Sequence, residues 1–299
     1  MPSLFLFHRI FVLLLHSTTT YHNSYTAYYM KVRIYIILAL FTLLFIATTE
    51  NTNAQVGLSV SPPRVYYSIA AGESGVQRVL INNISKEHPL DLAITLGDWE
   101  YDEYGNNVMF PPDSLENSCA SWLTLPEGTY LTLQPGESRE VEVMMSVPSI
   151  VPSGDNVQTA MLYVTQMNPV DGVDAQGAAI RINVRQGIKI YRKGLAGERR
   201  ALEITDMTFN RESNNIVLAF NNNGNIWTDG VIKTTIFNRT TGKEVALNDT
   251  PFFTMPGNSR KVMIAPGDAL DKGDYIATVI LDYGDETILE AAELEFRHE

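Results

Sequence analysis

The stretch at 178–193, AAIRINVRQGIKIYRK, alternates apolar and polar residues over much of its length. In its first half Ile180, Ile182 and Val184 are spaced by two, and polar residues separate them. Because successive side chains of a β-strand point to opposite faces of a sheet, this spacing predicts a strand with one apolar face. An ordinary core strand shows the same alternation, so the pattern alone predicts structure and not function.

Short alternating runs of this kind recur from Val56 to the end of the chain, and Gly, Pro, Asn and Asp separate them. Helical periodicity never extends beyond about two turns, so an all-β protein is predicted. The strands expected in the first half are 58–67, 75–85, 90–100, 106–110, 121–125, 139–148, 157–167 and 178–193. Those expected in the second half are 201–209, 215–223, 231–238, 243–247, 259–266, 274–284 and 287–296.

The chain has 299 residues, which is about twice the usual length of one domain. Its two halves also echo each other, since PGESREVEV at 135–143 matches PGNSRKVMI at 256–264, and LINNIS at 80–85 resembles LAFNNNGN at 218–225. Alternating strands behind Pro-Gly turns are typical of β-sandwiches. We therefore predict two immunoglobulin-like β-sandwich domains, at 55–195 and 196–299.

The N-terminal region has the features of a secretory signal peptide. Met30 is followed by KVR, the apolar run IYIILALFTLLFIA and the polar stretch TTENTNAQ. An apolar run of about 14 residues is shorter than the ~20 that a spanning helix needs, which favours cleavage, near Ala54, over a membrane anchor. We expect 1–54 to hold this signal and a non-native extension before a true start at Met30. The mature protein would then lie in the periplasm without a membrane span.

The charge and the scarcity of reactive side chains exclude several functions. The chain carries 22 Lys and Arg against 34 Asp and Glu, so it lacks the basic surface that nucleic acids require. Only His88 and His298 remain after 1–54, which leaves little for acid–base catalysis or metal binding. The single cysteine, Cys119, excludes an internal disulfide and is interpreted as a small strand residue.

No catalytic residue, metal site or cofactor is therefore expected. The acidic run from Asp98 to Glu103 lacks the spacing of a calcium loop and is interpreted as a solvated loop. An enzyme would need a cluster of carboxylates in a pocket.

Two segments far apart in the sequence resemble the N-terminal domain of the periplasmic pilus chaperones, the PapD family. In SPPRVYY at 61–67, Arg64-Val65-Tyr66 falls on an early family strand in which an Arg precedes a hydrophobic, often aromatic, pair. IRINVRQGIKIYRK at 180–193 looks like the last strand of that domain, an alternating run that leads into a Lys, here Lys189. The resemblance covers about 56–195, and beyond it only the general sandwich type is shared.

The chain departs from the family pattern in two places. The family's signature before its last strand is replaced by SGDNVQTAMLYVTQMNPV at 153–170. The acidic segment at 97–121 has no counterpart in the family pattern.

The resemblance implies a chaperone that binds pilus-type or surface subunits, with an outer-membrane usher as a further partner. Ile180, Ile182 and Val184 would be the apolar residues of a donated strand, and Arg64 and Lys189 would clamp the subunit's C-terminal carboxylate. An exposed sheet edge offers unpaired N–H and C=O groups for such pairing. The alternative is an envelope or surface protein that uses the same sandwiches as structural or adhesive modules and has no subunit client.

Overall fold

The computed structural model describes residues 57–151, 156–173, 178–267, 270–285 and 289–298. The chain from Ala54 to its end forms one compact unit. The expected signal peptide lies outside the described residues. The strands are β1 (Leu58–Ser61), β2 (Arg64–Ser68), β3 (Ser74–Asn83), β4 (Leu90–Tyr101), β5 (Asn107–Phe110), β6 (Leu123–Thr124), β7 (Tyr130–Leu133), β8 (Ser138–Ser146), β9 (Val157–Gln166), β10 (Val170–Val173), β11 (Ala179–Ile182), β12 (Arg185–Lys193), β13 (Leu202–Asn210), β14 (Asn215–Asn222), β15 (Thr228–Asn238), β16 (Glu244–Ala246), β17 (Thr250–Thr254), β18 (Ser259–Ile264), β19 (Gly273–Asp282) and β20 (Glu290–His298).

The first half of the described chain is a sandwich of two sheets. One sheet has the order β1-β3-β8-β6, and the other has the order β2-β12-β9-β4-β5 with β7 also on β4. Alternate side chains of both sheets fill one core, which includes Ile81, Leu133, Val143, Leu162 and Ile190. Burial of such side chains is the main stabilising contribution to a sandwich.

The second half repeats this architecture with sheets β13-β14-β18 and β16-β15-β19-β20, and β17 joins β15. In each half, the two segments that resemble segments of the other half lie on neighbouring strands and pair in the same way. Asn82 pairs with Ser138 in the first sandwich, and Asn221 pairs with Ser259 in the second. The predicted fold class, all-β with two immunoglobulin-like sandwiches, is confirmed. The exact domain boundary near 195 stays a prediction.

Two strands expected from the sequence are divided in the structure. The segment 58–67 forms β1, which pairs with β3, and β2, which pairs with β12 in the other sheet. Pro62 and Pro63 lie between them, and proline has no N–H for a sheet hydrogen bond. The segment 178–193 forms β11 and β12, with Asn183 and Val184 outside both strands.

The acidic run from Asp98 to Glu103, near the start of the segment 97–121, is not the solvated loop that the sequence suggested. Asp98 is buried at the end of β4, and its carboxylate accepts hydrogen bonds from the backbone N–H groups of Ser114 and Leu115, at 2.7 and 3.0 Å, and from the Ser118 hydroxyl at 2.7 Å. After β4 the chain turns back and forms β5, which pairs with β4 as a hairpin. These bonds satisfy a carboxylate that would otherwise be costly to bury, and they fold the segment onto the sheet.

Cys119 lies near the end of the segment 97–121, outside any strand. It precedes the 3-10 helix Ala120–Trp122, and its side chain is fully buried in the first core. Burial also raises the pKa of its thiol, which is the opposite of what a nucleophilic cysteine requires.

A cluster of aromatic and apolar side chains joins the two sandwiches. The outward face of the second sheet contributes Trp99, Met161 and Tyr191, and the second sandwich contributes Ile226 and Met255. Strand β9 is therefore buried on both faces along nearly its whole length. A strand of a surface sheet usually has one buried and one exposed face. Strand β9 is instead covered by the first core on one face and by the cluster between the sandwiches on the other.

The tip of the β4–β5 hairpin adds polar contacts between the sandwiches. Glu103 forms an ion pair with Lys261 at 2.8 Å, and its backbone carbonyl accepts a hydrogen bond from the Lys261 N–H at 2.6 Å. The buried Arg260 guanidinium lies against the backbone of Gly105 and donates to the carbonyl of Asp102 at 3.4 Å. The acidic hairpin thus holds the second sandwich against the first.

Candidate functional site

Arg64 and Lys189 lie opposite each other in neighbouring strands. Strands β2 and β12 run parallel, with Lys189 in register with Arg64, and the Lys189 N–H donates to the carbonyl of Pro63 at 3.1 Å. Neighbouring strands are about 4.8 Å apart, and residues in register share a face. The structure therefore brings together two cations that are separated by 125 positions in the sequence.

Lys189 is surrounded by side chains of the acidic hairpin. Its Nζ donates hydrogen bonds to the Tyr101 hydroxyl at 2.8 Å and to Asn107 Oδ1 at 2.5 Å, and it lies 3.8 Å from the centre of the Trp99 ring. Partial burial, and then the nearby charge of Arg64, lower the pKa of Lys189 to about 7. A bound anion at this position would favour the charged lysine and raise that pKa.

Arg64 extends toward the second sandwich. Its Cζ lies 5.0 Å from the centre of the Phe253 ring, on β17. Among the described residues, neither Arg64 nor Lys189 has a carboxylate within ion-pair distance. The pair is thus a concentration of positive charge on an otherwise acidic protein.

Both cations line a cavity of about 460 Å³ on the outward face of the sheet. A third cation, Arg185, lies at the other end, with its Cζ 3.6 Å from the centre of the Tyr163 ring. The remaining lining residues are Pro63, Asn107, Met109, Met161 and Gly187. The cavity combines positive charge with apolar walls, which suits an anionic group on a peptide chain.

The edge of β12 is open beside this cavity. Residues Arg185–Lys193 pair with β9 on one side, whereas β2 pairs on the other side only from Lys189 onward. In the described part of the chain, no strand pairs with the second edge of residues 185–188. The backbone groups of this short edge are available to a further strand.

The three expected donor residues lie just before that edge, in different surroundings. Ile182 is on β11, which forms a two-stranded ribbon with β10, and its side chain is 40% exposed. Val184 is half-buried against the first core, and its carbonyl accepts a hydrogen bond from the Gln166 N–H at 2.9 Å. Ile180 also lies on β11, with its backbone opposite Gly172. Strand β11 pairs only with β10 among the described strands, so its other edge is open, like the edge of β12 at residues 185–188.

Sequence reasoning missed the groups that surround Lys189. Trp99, Tyr101 and Asn107 belong to the acidic segment that had no counterpart in the family pattern. No local signal shows that the segment folds back over β12, because this contact depends on sheet order. Arg185 lies in the segment 178–193, but no role was expected for it from the sequence.

Two general features complete the description of the site. No helix among the described residues is long and apolar enough to cross a membrane. The same residues contain no group of three or more His, Cys, Asp or Glu side chains placed to hold a metal ion.

No protein-family model matches the sequence, and no curated protein matches it. Several solved chaperone structures do match in fold. The Escherichia coli chaperone DraB is 16% identical, with a TM-score of 0.41, over 80% of this chain and 99% of that chain. A chain of the CsuC–CsuE chaperone–tip adhesion subunit complex of Acinetobacter baumannii is 14% identical, with a TM-score of 0.43, over 79% of this chain and 97% of that one. The Pseudomonas aeruginosa chaperone CupB2 is 11% identical, with a TM-score of 0.40, over 81% and 100% of the two chains.

Proposed function

We propose that this chain, which resembles the PapD-like chaperones, is a periplasmic chaperone that binds pilus-type or surface subunits by donating a strand. Arg64 and Lys189 would bind the C-terminal carboxylate of the subunit. One observation carries the proposal: two cations without a described carboxylate partner lie in register at the point where the open edge of β12 ends. Arg offers a planar fork to a carboxylate and Lys a compact charge, so together they suit one chain end.

The register also predicts the direction of the bound strand. Strand β2 runs parallel to β12 and begins with Arg64 opposite Lys189. A subunit strand on the open edge of residues 185–188 would lie in line with β2 and end where β2 begins. Its C-terminal carboxylate would reach the two cations only if the strand runs parallel to β12.

The donated segment would comprise Ile180, Ile182 and Val184 together with the open edge that follows them. Residues spaced by two point to one face of a continuous strand, so all three would enter the subunit on the same side once binding joins β11 and β12 into one strand. Each fully buried aliphatic side chain contributes about 1.5–3 kcal/mol on leaving water. Carboxylate binding would fix the register, because a slip by one residue turns the apolar face away.

Export through the expected signal peptide would place this chaperone in the periplasm, where an outer-membrane usher would receive its subunits. Strand pairing and carboxylate binding need no cofactor and no bond chemistry. We therefore infer a binding protein and not an enzyme.

Co-expression with any pilus-type subunit that is found to be encoded beside the gene for this chain tests the proposal. Wild-type protein should co-purify with the subunit from the periplasm and protect it from proteolysis. The double variant Arg64→Ala and Lys189→Ala should lose most of the captured subunit. Lys86→Ala, at an exposed lysine away from β2 and β12, is the matched control and should behave as wild type.

Circular dichroism and thermal melting of each variant would separate lost binding from lost folding. If the folded double variant captures as much subunit as the wild type, the carboxylate anchor is wrong. If the wild type captures none, the alternative of a structural or adhesive envelope protein is favoured.

A further inference from the structure

Two side chains of the β4–β5 hairpin hold the ammonium group of Lys189. Tyr101 is the last residue of β4 and Asn107 is the first residue of β5, and the two pair directly across the hairpin. Side chains of directly paired residues in antiparallel strands lie on one face. This pairing therefore places the Tyr101 hydroxyl and Asn107 Oδ1 together, at 2.8 and 2.5 Å from Lys189 Nζ.

These contacts use most of the hydrogen-bonding capacity of Lys189. An ammonium group has three N–H donors and no acceptor. Two of the donors bond to Tyr101 and Asn107, and the nitrogen lies 3.8 and 4.0 Å from the centres of the Trp99 and Tyr101 rings. One N–H donor therefore remains for a ligand, and the ammonium cannot turn away without losing a contact.

The hairpin itself is fixed at its tip. The Asp102 carboxylate accepts hydrogen bonds from the backbone N–H groups of Tyr104 and Asn106, at 2.9 and 2.8 Å, and these bonds close the turn. Glu103 forms an ion pair with Lys261 of the second sandwich. The two acceptors of the lysine are thus in place before any ligand binds, and binding groups that are ordered in advance lose less entropy.

The charged and titratable groups that face Lys189 come from the neighbouring strands. Arg64 lies beside it on β2, and Tyr101 faces it from β4. Arg260 of β18 lies 5.9 Å from the centre of the Tyr101 ring. On β9 the residue paired with Lys189 is Met161, which has no charge. The cations oppose a positive charge on the lysine, so the neutral oxygens of the hairpin are the described groups that favour it.

We propose that Tyr101 and Asn107 are positioning residues of the carboxylate anchor, which hold the Lys189 ammonium beside Arg64 and leave one of its N–H donors for the chain end of a subunit. This inference rests on the proposed function, because it assumes that the two cations bind a carboxylate. It gives the segment 97–121, which has no counterpart in the family pattern, a role in that binding.

Removal of either acceptor should weaken carboxylate binding mainly above neutral pH. A hydrogen bond accepted from an ammonium group favours its charged form, so loss of that bond lowers the pKa of Lys189 below its value of about 7. If this pKa falls by about 0.5–1, binding should weaken by about three- to eightfold at pH 7.5 and by less than about twofold at pH 5.5. Tyr101→Phe should have the larger effect, because Tyr101 is half-buried whereas Asn107 is exposed.

Fluorescence anisotropy of a labelled peptide between pH 5.5 and 8 tests the inference on the mature protein. The peptide has ten residues that alternate Val and Thr, a pH-insensitive dye on its N-terminus and a free C-terminal carboxylate. Tyr101→Phe and Asn107→Ala should both move the midpoint of the binding profile to lower pH. Tyr101→Phe keeps the ring that packs against Trp99, with 5.0 Å between the ring centres. The matched control Tyr130→Phe, at a tyrosine of β7 that is 76% exposed, should reproduce the wild-type profile.

Asn107→Asp is a sharper variant, because it changes the acceptor to a carboxylate at the same position. The new carboxylate should pair with Lys189, raise its pKa and compete with the carboxylate of the peptide. Binding at pH 6 should weaken by about fivefold or more, and the pH dependence of binding between 6 and 8 should disappear.

Unmoved pH profiles in both Tyr101→Phe and Asn107→Ala would overturn the positioning role. Tighter binding in either variant would also overturn it, because the hairpin would then compete with the ligand for Lys189. Wild-type affinity and slope in Asn107→Asp would have the same meaning. Circular dichroism and thermal melting of each variant verify that it is folded.

An amidated form of the peptide separates this inference from the proposed function. Amidation should weaken binding to the wild type, because it removes the carboxylate. Weaker binding of the amide together with unmoved profiles in the hairpin variants would reject only the positioning role. Equal binding of the acid and the amide to the wild type would reject the proposed function, and the positioning role with it.

Discussion

Binding of a C-terminal carboxylate should depend on pH near neutrality, because Lys189 has a lowered pKa. The value is about 7, and the cause is partial burial followed by the charge of Arg64. Below pH 7 the lysine is charged and attracts the carboxylate. Above pH 7 it is neutral in the free protein, and binding must then first protonate it.

The size of this pH effect on binding follows from the fraction of the protein in which Lys189 is protonated. With a pKa of about 7, roughly nine tenths of Lys189 is protonated at pH 6 and roughly one tenth at pH 8. If the carboxylate binds the charged form and raises its pKa, the apparent Kd rises up to about tenfold between these two pH values. Arg64 remains charged throughout this range and cannot produce the change.

The assay is a binding titration, at several pH values between 6 and 8, of a ten-residue peptide that alternates Val and Thr, has a blocked N-terminus and carries a free C-terminal carboxylate. The peptide's own carboxylate is fully ionised across this range, so it adds no slope. Lys189→Arg keeps a positive charge at the same position and should show a flat profile, whatever its absolute affinity. Lys189→Gln should bind weakly and also without pH dependence. A flat profile for the wild type, or an equal slope in Lys189→Arg, would refute the assignment of the pH dependence to Lys189.

Two further predictions concern the acidic hairpin. Gly105→Ala should lower the melting temperature clearly more than Gly128→Ala, because both residues have positive φ, +86° and +93°, but only at Gly105 would a Cβ overlap a neighbour, the Arg260 guanidinium at 2.3 Å. Equal shifts would show that the contact between the sandwiches tolerates the extra methyl group. Asp98→Ala should reduce the free energy of unfolding in urea by about 3 kcal/mol, because three donors lose their acceptor. The exposed Glu127→Ala should change it by less than about 0.5 kcal/mol, and a similar small change for Asp98→Ala would contradict the anchoring role.

Much of the candidate site could be named from local patterns. Arg64 and Lys189 stand in the two segments that resemble the chaperone family, and their strands were expected from alternation alone. The sequence did not show that 58–67 crosses from one sheet to the other. That crossing places β2 beside β12 and makes the two cations neighbours.

The acidic segment shows the limit of local reasoning more sharply. Its carboxylates suggested a solvated loop, yet Asp98 is buried and Glu103 reaches the second sandwich. Both outcomes depend on partners that are distant in the chain. The charge of Asp98 is compensated by hydrogen-bond donors from 114–118, and the charge of Glu103 is compensated by Lys261. The sequence shows that these carboxylates are present but not which partners they have.

The sequence by itself determined the all-β class, the two sandwiches and the apolar faces of most strands, because side-chain alternation is a local property of a β-strand. Tertiary structure alone decided which edges are paired and which remain open, since strand order joins residues that are far apart in the chain. It also decided that Lys189 lies among Trp99, Tyr101 and Arg64. This environment gives the lysine its lowered pKa and places it at the end of the open edge.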